Sequence, residues 1–424
     1  MIEKIQKSYE PERAIIAGLS ADSMKPHDRS TEESLDELEA LLETAGGICL
    51  GRTLQSRPRP EPRTFVGTGK VKEIKEMAKA NECTVAVFDN ELTPSQMKAL
   101  AEELDLKVID RSSLILDIFA GRARTREGRL QVELAQYNYL LPRLTGMWKH
   151  LTSQTGTSAP IGTRGPGETQ LESDRRHIRR KIDKLRAELR DVIRTRDTQR
   201  RLREKNAIPV IAIVGYTNAG KSTLLNTLTG ADIAAENRLF DTLDTTTRRL
   251  VVSETQEALL SDTVGFIRKL PHHLVESFKA TLEELKYADL LLHVIDASSP
   301  ECDEQIRVVD DMISSLGAGG TPRLEVYNKC DVVTADVRER GASIVEISAK
   351  TRKGIDELLK KIEESLSAGK KKVTLQIPYA KANIIEKLHN ENAVSDTRYL
   401  EEYIEVDAVL ALSLYGRVKE YEIK

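Results

Sequence analysis

From Glu12 to about Gly121, short apolar runs alternate with stretches of helical periodicity. ERAIIAGL, GGICLGRTL, CTVAVFDN and LKVIDR read as strands, while STEESLDELEALLETA and TGKVKEIKEMAKANE space their apolar residues as helices do. Ser30 or Thr31 caps the first helix and Gly46 and Gly47 close it; the second ends near Asn81. This β-α-β alternation predicts a small parallel-sheet domain, with RPRPEPRTF (Arg57 to Phe65) as a Pro-rich surface loop.

Two long helices follow. Leu130, Leu134, Tyr137 and Leu141 form one apolar stripe, and Leu171, Ile178, Ile182, Leu185, Leu189 and Val192 form another with the step of a coiled-coil seam. Such narrow stripes suit an antiparallel pair, turned by Pro142 and the glycine-rich segment Thr145 to Glu168. After Asn206 comes IPVIAIVG, a strand of the kind buried on both faces, and more follow at Ala258–Leu260, Leu290–Ile295, Leu324–Tyr327 and Ile344–Ile347. With helices between, they predict a doubly wound sheet ending near Gly369. Lys370 to Lys372 then read as a linker to a tail with strands VTLQI and YIEVDA around the helix AKANIIEKLH. The expected fold class is α/β in four parts: an α/β domain at 1–125, a helical hairpin at 126–205, a nucleotide domain at 206–369 and a small α+β domain at 370–424.

Composition narrows the chemistry. The chain has 424 residues, 40% hydrophobic and 31% charged, enough for several soluble cores. Aromatics at 4% argue against aromatic stacking platforms. A net charge of -3 means that a nucleic-acid partner must meet a local basic patch. Arg175 to Lys205 is such a patch, with Arg175, Arg176, Arg179, Arg180, Arg194, Arg200 and Arg201. Four scattered cysteines offer no C-x-x-C pair and point to a reducing compartment. Neither a signal peptide nor a membrane span stands out, so the cytoplasm is the expected location, with peripheral membrane association left open.

The strongest chemical signal is GYTNAGKS at Gly215–Ser222: Gly215, Tyr216, Thr217, Asn218, Ala219, Gly220, Lys221 and Ser222. It fits the P-loop pattern between a buried strand and a helix, so its amides and Lys221 would hold phosphates while the Ser222 hydroxyl meets Mg2+. DTVG follows at the next strand end. Asp262 belongs near the metal, and the Gly265 amide would sense the γ-phosphate, across Thr263 and Val264. NKCD (Asn328, Lys329, Cys330, Asp331) follows a strand: Asp331 can accept both donors of guanine, Asn328 would brace the loop and Lys329 would lie along the base. SAK (Ser348, Ala349, Lys350) completes the pocket through backbone amides. In LFDTLDTTTRR a threonine must close on magnesium; Thr242 is the choice, with Thr245, Thr246 and Thr247 as competitors. Lys221, Thr242, Gly265 and Asn218 are the catalytic expectations. Phe266 stands where a water-orienting glutamine could be, so turnover should be slow alone and stimulated by a partner. Asn218 could hold K+ between the phosphates, or it could simply tolerate an unusual loop dihedral. GTGK at Gly67–Lys70 lacks a buried strand before it and reads as a helix start.

IGTRGPGETQLESDRR, GYTNAGKSTLLNTLTG and DTVGFIRKLPHHLVESFKATLEELKYADLLLHVIDASSP together resemble the HflX family of GTPases. The resemblance spans most of the chain and fades in the tail. It implies a ribosome-associated GTPase that binds the large subunit, splits stalled ribosomes and is stimulated by that subunit. It also implies that Ser222 and Thr242 hold magnesium, and that Gly215–Ser222, Phe240, Asp241, Thr242, Leu243, Asp244, Asp262–Gly265, Asn328–Asp331 and Ser348–Lys350 surround GTP. The sequence departs from the family at Asp241, where a small residue is common, and at Thr245, where proline is frequent. A basic hairpin with a bendable tip is also shaped for ribosomal RNA. The chain is expected to act as a monomer. Three other readings compete: an RNA-modifying GTPase, a membrane-linked G protein, and an ATP-driven RNA remodeller using the N-terminal domain.

Overall fold

The computed structural model describes residues 11–25, 28–153, 166–205, 208–230, 239–240, 246–253, 256–271, 274, 277–278, 283–333, 343–367, 370–390, 394–400, 402–411 and 418–423. It separates into two compact units, one of Met1–Arg190, Glu236–Asp244 and Ile267–Lys279, the other of Asp191–Ala235, Thr245–Phe266 and Ala280–Lys424.

The first unit holds an all-parallel sheet in the order β2-β1-β3-β4, built from β1 (Arg13–Ala21), β2 (Ile48–Arg57), β3 (Val85–Phe88) and β4 (Lys107–Asp110). Between them run α1 (Glu32–Thr44), α2 (Thr68–Ala80) and α3 (Pro94–Leu104), and α4 (Arg111–Arg122) leaves β4 directly. Thr31 caps α1 through a capping box with Ser34. Gly67 is the N-cap of α2, so GTGK is indeed a helix start. The Pro-rich loop is not wholly at the surface: Thr64, Phe65 and Val66 are buried, because the loop folds its one apolar pair back under the sheet.

The hairpin helices are α5 (Arg126–Ser153) and α6 (Pro166–Lys205). Lys181 pairs with Glu133, and Arg126 lies near Glu188, so the helices run antiparallel. Leu130, Leu134, Ile182, Leu185 and Leu189 are buried along the seam. Pro142 does not turn the chain; it lies inside α5. A proline there removes one intrahelical hydrogen bond and costs about 3 kcal/mol. The next residue offsets this. Arg143 stacks over the Tyr139 ring at 3.5 Å and donates to the carbonyls of Tyr139 and Leu92, both at 3.0 Å. The tip segment 154–165 lies outside the described residues.

In the second unit, the order β10-β9-β8-β5-β7-β6 puts β5 (Val210–Gly215) amid β6 (Thr246–Ser253), β7 (Gln256–Asp262), β8 (Leu290–Asp296), β9 (Arg323–Asn328) and β10 (Ile344–Glu346). Only β6 runs antiparallel to its neighbour. Helices α7 (Lys221–Thr229), α8 (Cys302–Ser315) and α9 (Ile355–Ser367) accompany this sheet, and Leu224, Leu225, Leu358 and Ile362 pack on its core. The tail is a three-stranded antiparallel sheet, β11 (Lys370–Pro378), β13 (Tyr403–Ala411) and β12 (Val394–Tyr399), with α10 (Asn383–Asn390). Lys370–Lys372 are therefore strand rather than linker: their backbone pairs with Val409–Ala411, a ladder that needs no apolar side chain.

Candidate nucleotide-binding site

The site forms at the carboxyl end of β5, where the strand order reverses and ligands bind in doubly wound sheets. The chain leaves β5 at Gly215 and enters α7 at Lys221, with Gly220 as the N-cap in a left-handed conformation, φ +93°. A side chain at 220 would also collide with the Asn328 amide nitrogen, so only glycine fits. The turn aims the first amides of α7 into the site, an anion-binding arrangement. Asn218 adopts φ +61°, which asparagine tolerates.

Lys221 is buried, and its ammonium donates to the Tyr216 carbonyl at 2.8 Å. Burial pushes its pKa down to about 8, against the attraction of Asp262. The Ser222 hydroxyl donates to Asp262 Oδ2 at 3.1 Å, and Asp262 is itself buried at the end of β7. Two hard oxygen donors side by side next to a phosphate loop fit Mg2+, which is held by few protein ligands and keeps substrate and water oxygens.

DTVG lies directly over the loop. The Thr217 N–H donates to the Phe266 carbonyl at 2.7 Å and the Phe266 N–H to Gly215 at 3.1 Å. A Cβ at Gly265 would sit 2.9 Å from Thr217 Cγ2 and 3.0 Å from Lys221 Nζ, so this backbone needs glycine to come so near. Thr263 donates through its hydroxyl to the Ile213 carbonyl at 2.7 Å, fixing the strand end.

Asn328 ties the base-side loops to the phosphate loop. Its amide donates to the Ala219 carbonyl and its oxygen accepts from the Ala349 N–H, each at 2.9 Å. Lys329 is ion-paired with Asp296 at 2.7 Å. Asp331 is exposed; a hydrogen bond from the Ser348 side chain holds its carboxyl below the usual range. Cys330 is held by a backbone bond to Ile347.

The structure thus brings together Gly215–Ser222, Asp262–Gly265, Asn328–Asp331 and Ser348–Lys350. Phe240 is a buried ring of the first unit, packed edge-on to Phe119 at 4.7 Å. Thr246 and Thr247 stand in β6, paired with Asp262 and Ser261. Asp241, Thr242, Leu243, Asp244 and Thr245 lie outside the described residues. The motif reading passed over Asp296, the partner of Lys329; it ends β8, and no short motif marks it.

Three stretches of the chain match families of GTPases. Residues 32–120 match a family described as GTP-binding GTPase N-terminal, 122–203 one described as GTP-binding GTPase Middle Region, and 210–329 one described as 50S ribosome-binding GTPase. GTPase HflX of Caldanaerobacter subterraneus is 47% identical over 97% of this chain and 94% of its own. Its namesakes from Lacrimispora saccharolytica and Escherichia coli are 45% and 43% identical, covering 99% and 90% of this chain and 98% and 89% of theirs. Among solved structures, a GTP-binding protein of Sulfolobus solfataricus with GDP is 25% identical, with a TM-score of 0.44, covering 84% of this chain and 99% of that one.

Proposed function

The chain belongs to the HflX family of GTPases, and from that premise we propose that it binds the large ribosomal subunit in its GTP state and dissociates stalled or idle ribosomes. Hydrolysis of GTP to GDP and phosphate is its enzymatic activity. The ribosomal step is the reading supported by the rest of the molecule.

The observation that carries it is the exposed basic face of α6. Arg176, Arg179, Arg180, Arg186 and Arg190 are exposed and form no ion pair among the described residues. Guanidinium groups left unmatched on a rigid helix suit phosphate oxygens of a structured RNA. The family that 210–329 matches is described by its 50S binding, and this chain's own charge supports the same partner.

At the nucleotide, Lys221 would move from the Tyr216 carbonyl to the β- and γ-phosphates, and burial makes that contact stronger than it would be in water. Ser222 and Asp262 are the described residues that would hold Mg2+, directly and through water respectively, with Thr242 as the second direct ligand. The ion would neutralise charge on the phosphates. Gly265 would report the γ-phosphate through its amide, and Asp331 would select guanine. K+ at Asn218 is the remaining assignment; faster turnover in potassium than in sodium would carry it. The four segments 1–125, 126–205, 206–369 and 370–424 would serve as the working modules, in the cytoplasm and as a monomer.

Sedimentation with ribosomal subunits and a non-hydrolysable GTP analogue tests the proposal across a salt series. Co-migration with the large subunit that weakens as salt rises is expected. Absence from that fraction at every salt would remove the ribosomal role and leave the GTPase.

A further inference from the structure

Asp296 is held at both of its carboxylate oxygens. Oδ1 accepts from the Ser298 N–H at 3.0 Å and from the Ser298 hydroxyl at 2.6 Å, while Oδ2 takes the Lys329 ammonium at 2.7 Å. The two loops are joined through the backbone as well, since the Ala297 N–H donates to the Asn328 carbonyl at 3.0 Å. Asp296 therefore ends β8 as a carboxylate with no freedom to turn. Lys329 needs such a hold. Its backbone sits at φ +65°, in the left-handed region that a lysine rarely enters, and its long stem must give up rotamer freedom to lie along a base. The pair is only partly buried, with 16% of the Asp296 side chain and 30% of the Lys329 side chain exposed, so water leaves it little weight in stability. What the pair does decide is where the ammonium goes, and so how the stem behind it runs.

We propose that Asp296 is a positioning residue of the guanine pocket: it anchors the Lys329 ammonium so that the stem is already laid out before the base arrives, and it thereby sets how long the nucleotide stays. The inference rests on the GTP site proposed above, in which Lys329 lies along the base and Asp331 reads its edge. Asp296 acts through Lys329 at the base end of the nucleotide. Its effect therefore falls equally on GTP and GDP, and it leaves the chemistry at the phosphates alone.

The full-length chain, Asp296→Asn, Lys329→Met and the double variant are compared by GDP titration, by the dissociation rate of a fluorescent GDP analogue, and by hydrolysis over a range of GTP concentrations. Asp296→Asn keeps the size of the side chain and an oxygen for Ser298, but it takes the charge partner from Lys329. GDP and GTP should both bind about three- to tenfold more weakly, through faster dissociation, which is the scale of ordering one long side chain on binding. The change should fall on KM, with kcat held. Lys329→Met keeps an apolar stem without the ammonium, and in that background Asp296→Asn should shift affinity by less than about twofold. Asp296→Asn that binds GDP as the parent does overturns the proposal. So does an equal loss in the Lys329→Met background, which would give Asp296 a role in the loop independent of the lysine, and so does a fall in kcat at unchanged KM. A parental chain that binds neither nucleotide removes the site itself, and this inference with it.

Discussion

At the carboxyl ends of β1 and β3 in the N-terminal sheet, the polar groups answer one another. Asp89, fully buried, accepts from Ser30 at 2.6 Å, from Ser34 at 2.7 Å and from Arg111 at 2.8 Å, and it is paired with Lys269 of the same unit. Arg111 reaches on to Glu37, and Asn90 accepts from the Leu19 N–H at 3.1 Å. At the carboxyl end of β5 the matching position is built differently. Lys221 is held there by a backbone carbonyl, and Thr217 Oγ1 by no described residue. Both places are the strand-order reversals where open sheets bind ligands. The first has been closed with the chain's own charges, and the second keeps its charge for a substrate. A buried ionisable group therefore marks function here by what it lacks, more than by how deeply it lies.

The largest effect is expected from removing one carboxylate of the closed crevice. Burial pushes the Asp89 pKa up, but Arg111 and Lys269 overcome this and hold it below its ordinary value. That stabilisation is complete at neutral pH and disappears as pH falls through the lowered pKa. Asp89→Ala takes the paired carboxylate from buried Lys269 and leaves Arg111 only Glu37, and should cost about 3–5 kcal/mol by denaturant titration. Affinity for GTP in the folded fraction should hold.

Lys221→Met should do the reverse. The lowered pKa of Lys221 means that its charge is penalised by folding below about pH 8, so its removal should not destabilise the chain. It should weaken GTP by about 1.5–3 kcal/mol, the range for hydrogen bonds to a charged group. A smaller effect sharpens the same point. A bound triphosphate must raise the Lys221 pKa, so binding near pH 8 should take up about half a proton and near pH 6 almost none. Calorimetry in buffers of different ionisation enthalpy measures this, and Lys221→Met should abolish it.

Much of the nucleotide domain was legible in the sequence because its strands are buried on both faces and its motifs sit at their ends. The passages that resisted have physical reasons. Helix α3 opens with Thr93, Pro94 and Gln96, a capping box with proline at the start, yet its apolar stripe is short and follows β3 closely. Helix α4 runs straight from β4 with Asp110 as its cap, so RSSLILDIFAGR carries no turn to separate strand from helix. Pro142 misled because a proline usually ends a helix, and the Arg143 contacts that sustain this one come from Leu92, far away in the sequence. The crevice of Asp89, Arg111 and Lys269 could not be read at all: the charges are distant along the chain and no motif relates them. In the nucleotide site the residue types were legible, but the orphaned Thr217 hydroxyl appears only once its neighbours are placed.

Nucleotide titration by calorimetry, with magnesium present, bears most directly on the pocket formed by Lys221, Ser222, Asp262, Asn328 and Asp331. GTP and GDP should bind, and ATP should bind measurably more weakly, because adenine offers Asp331 neither of guanine's two donors. The carboxylate is exposed rather than buried as the sequence suggested, so water tempers the penalty. ATP bound as tightly as GTP would contradict the account.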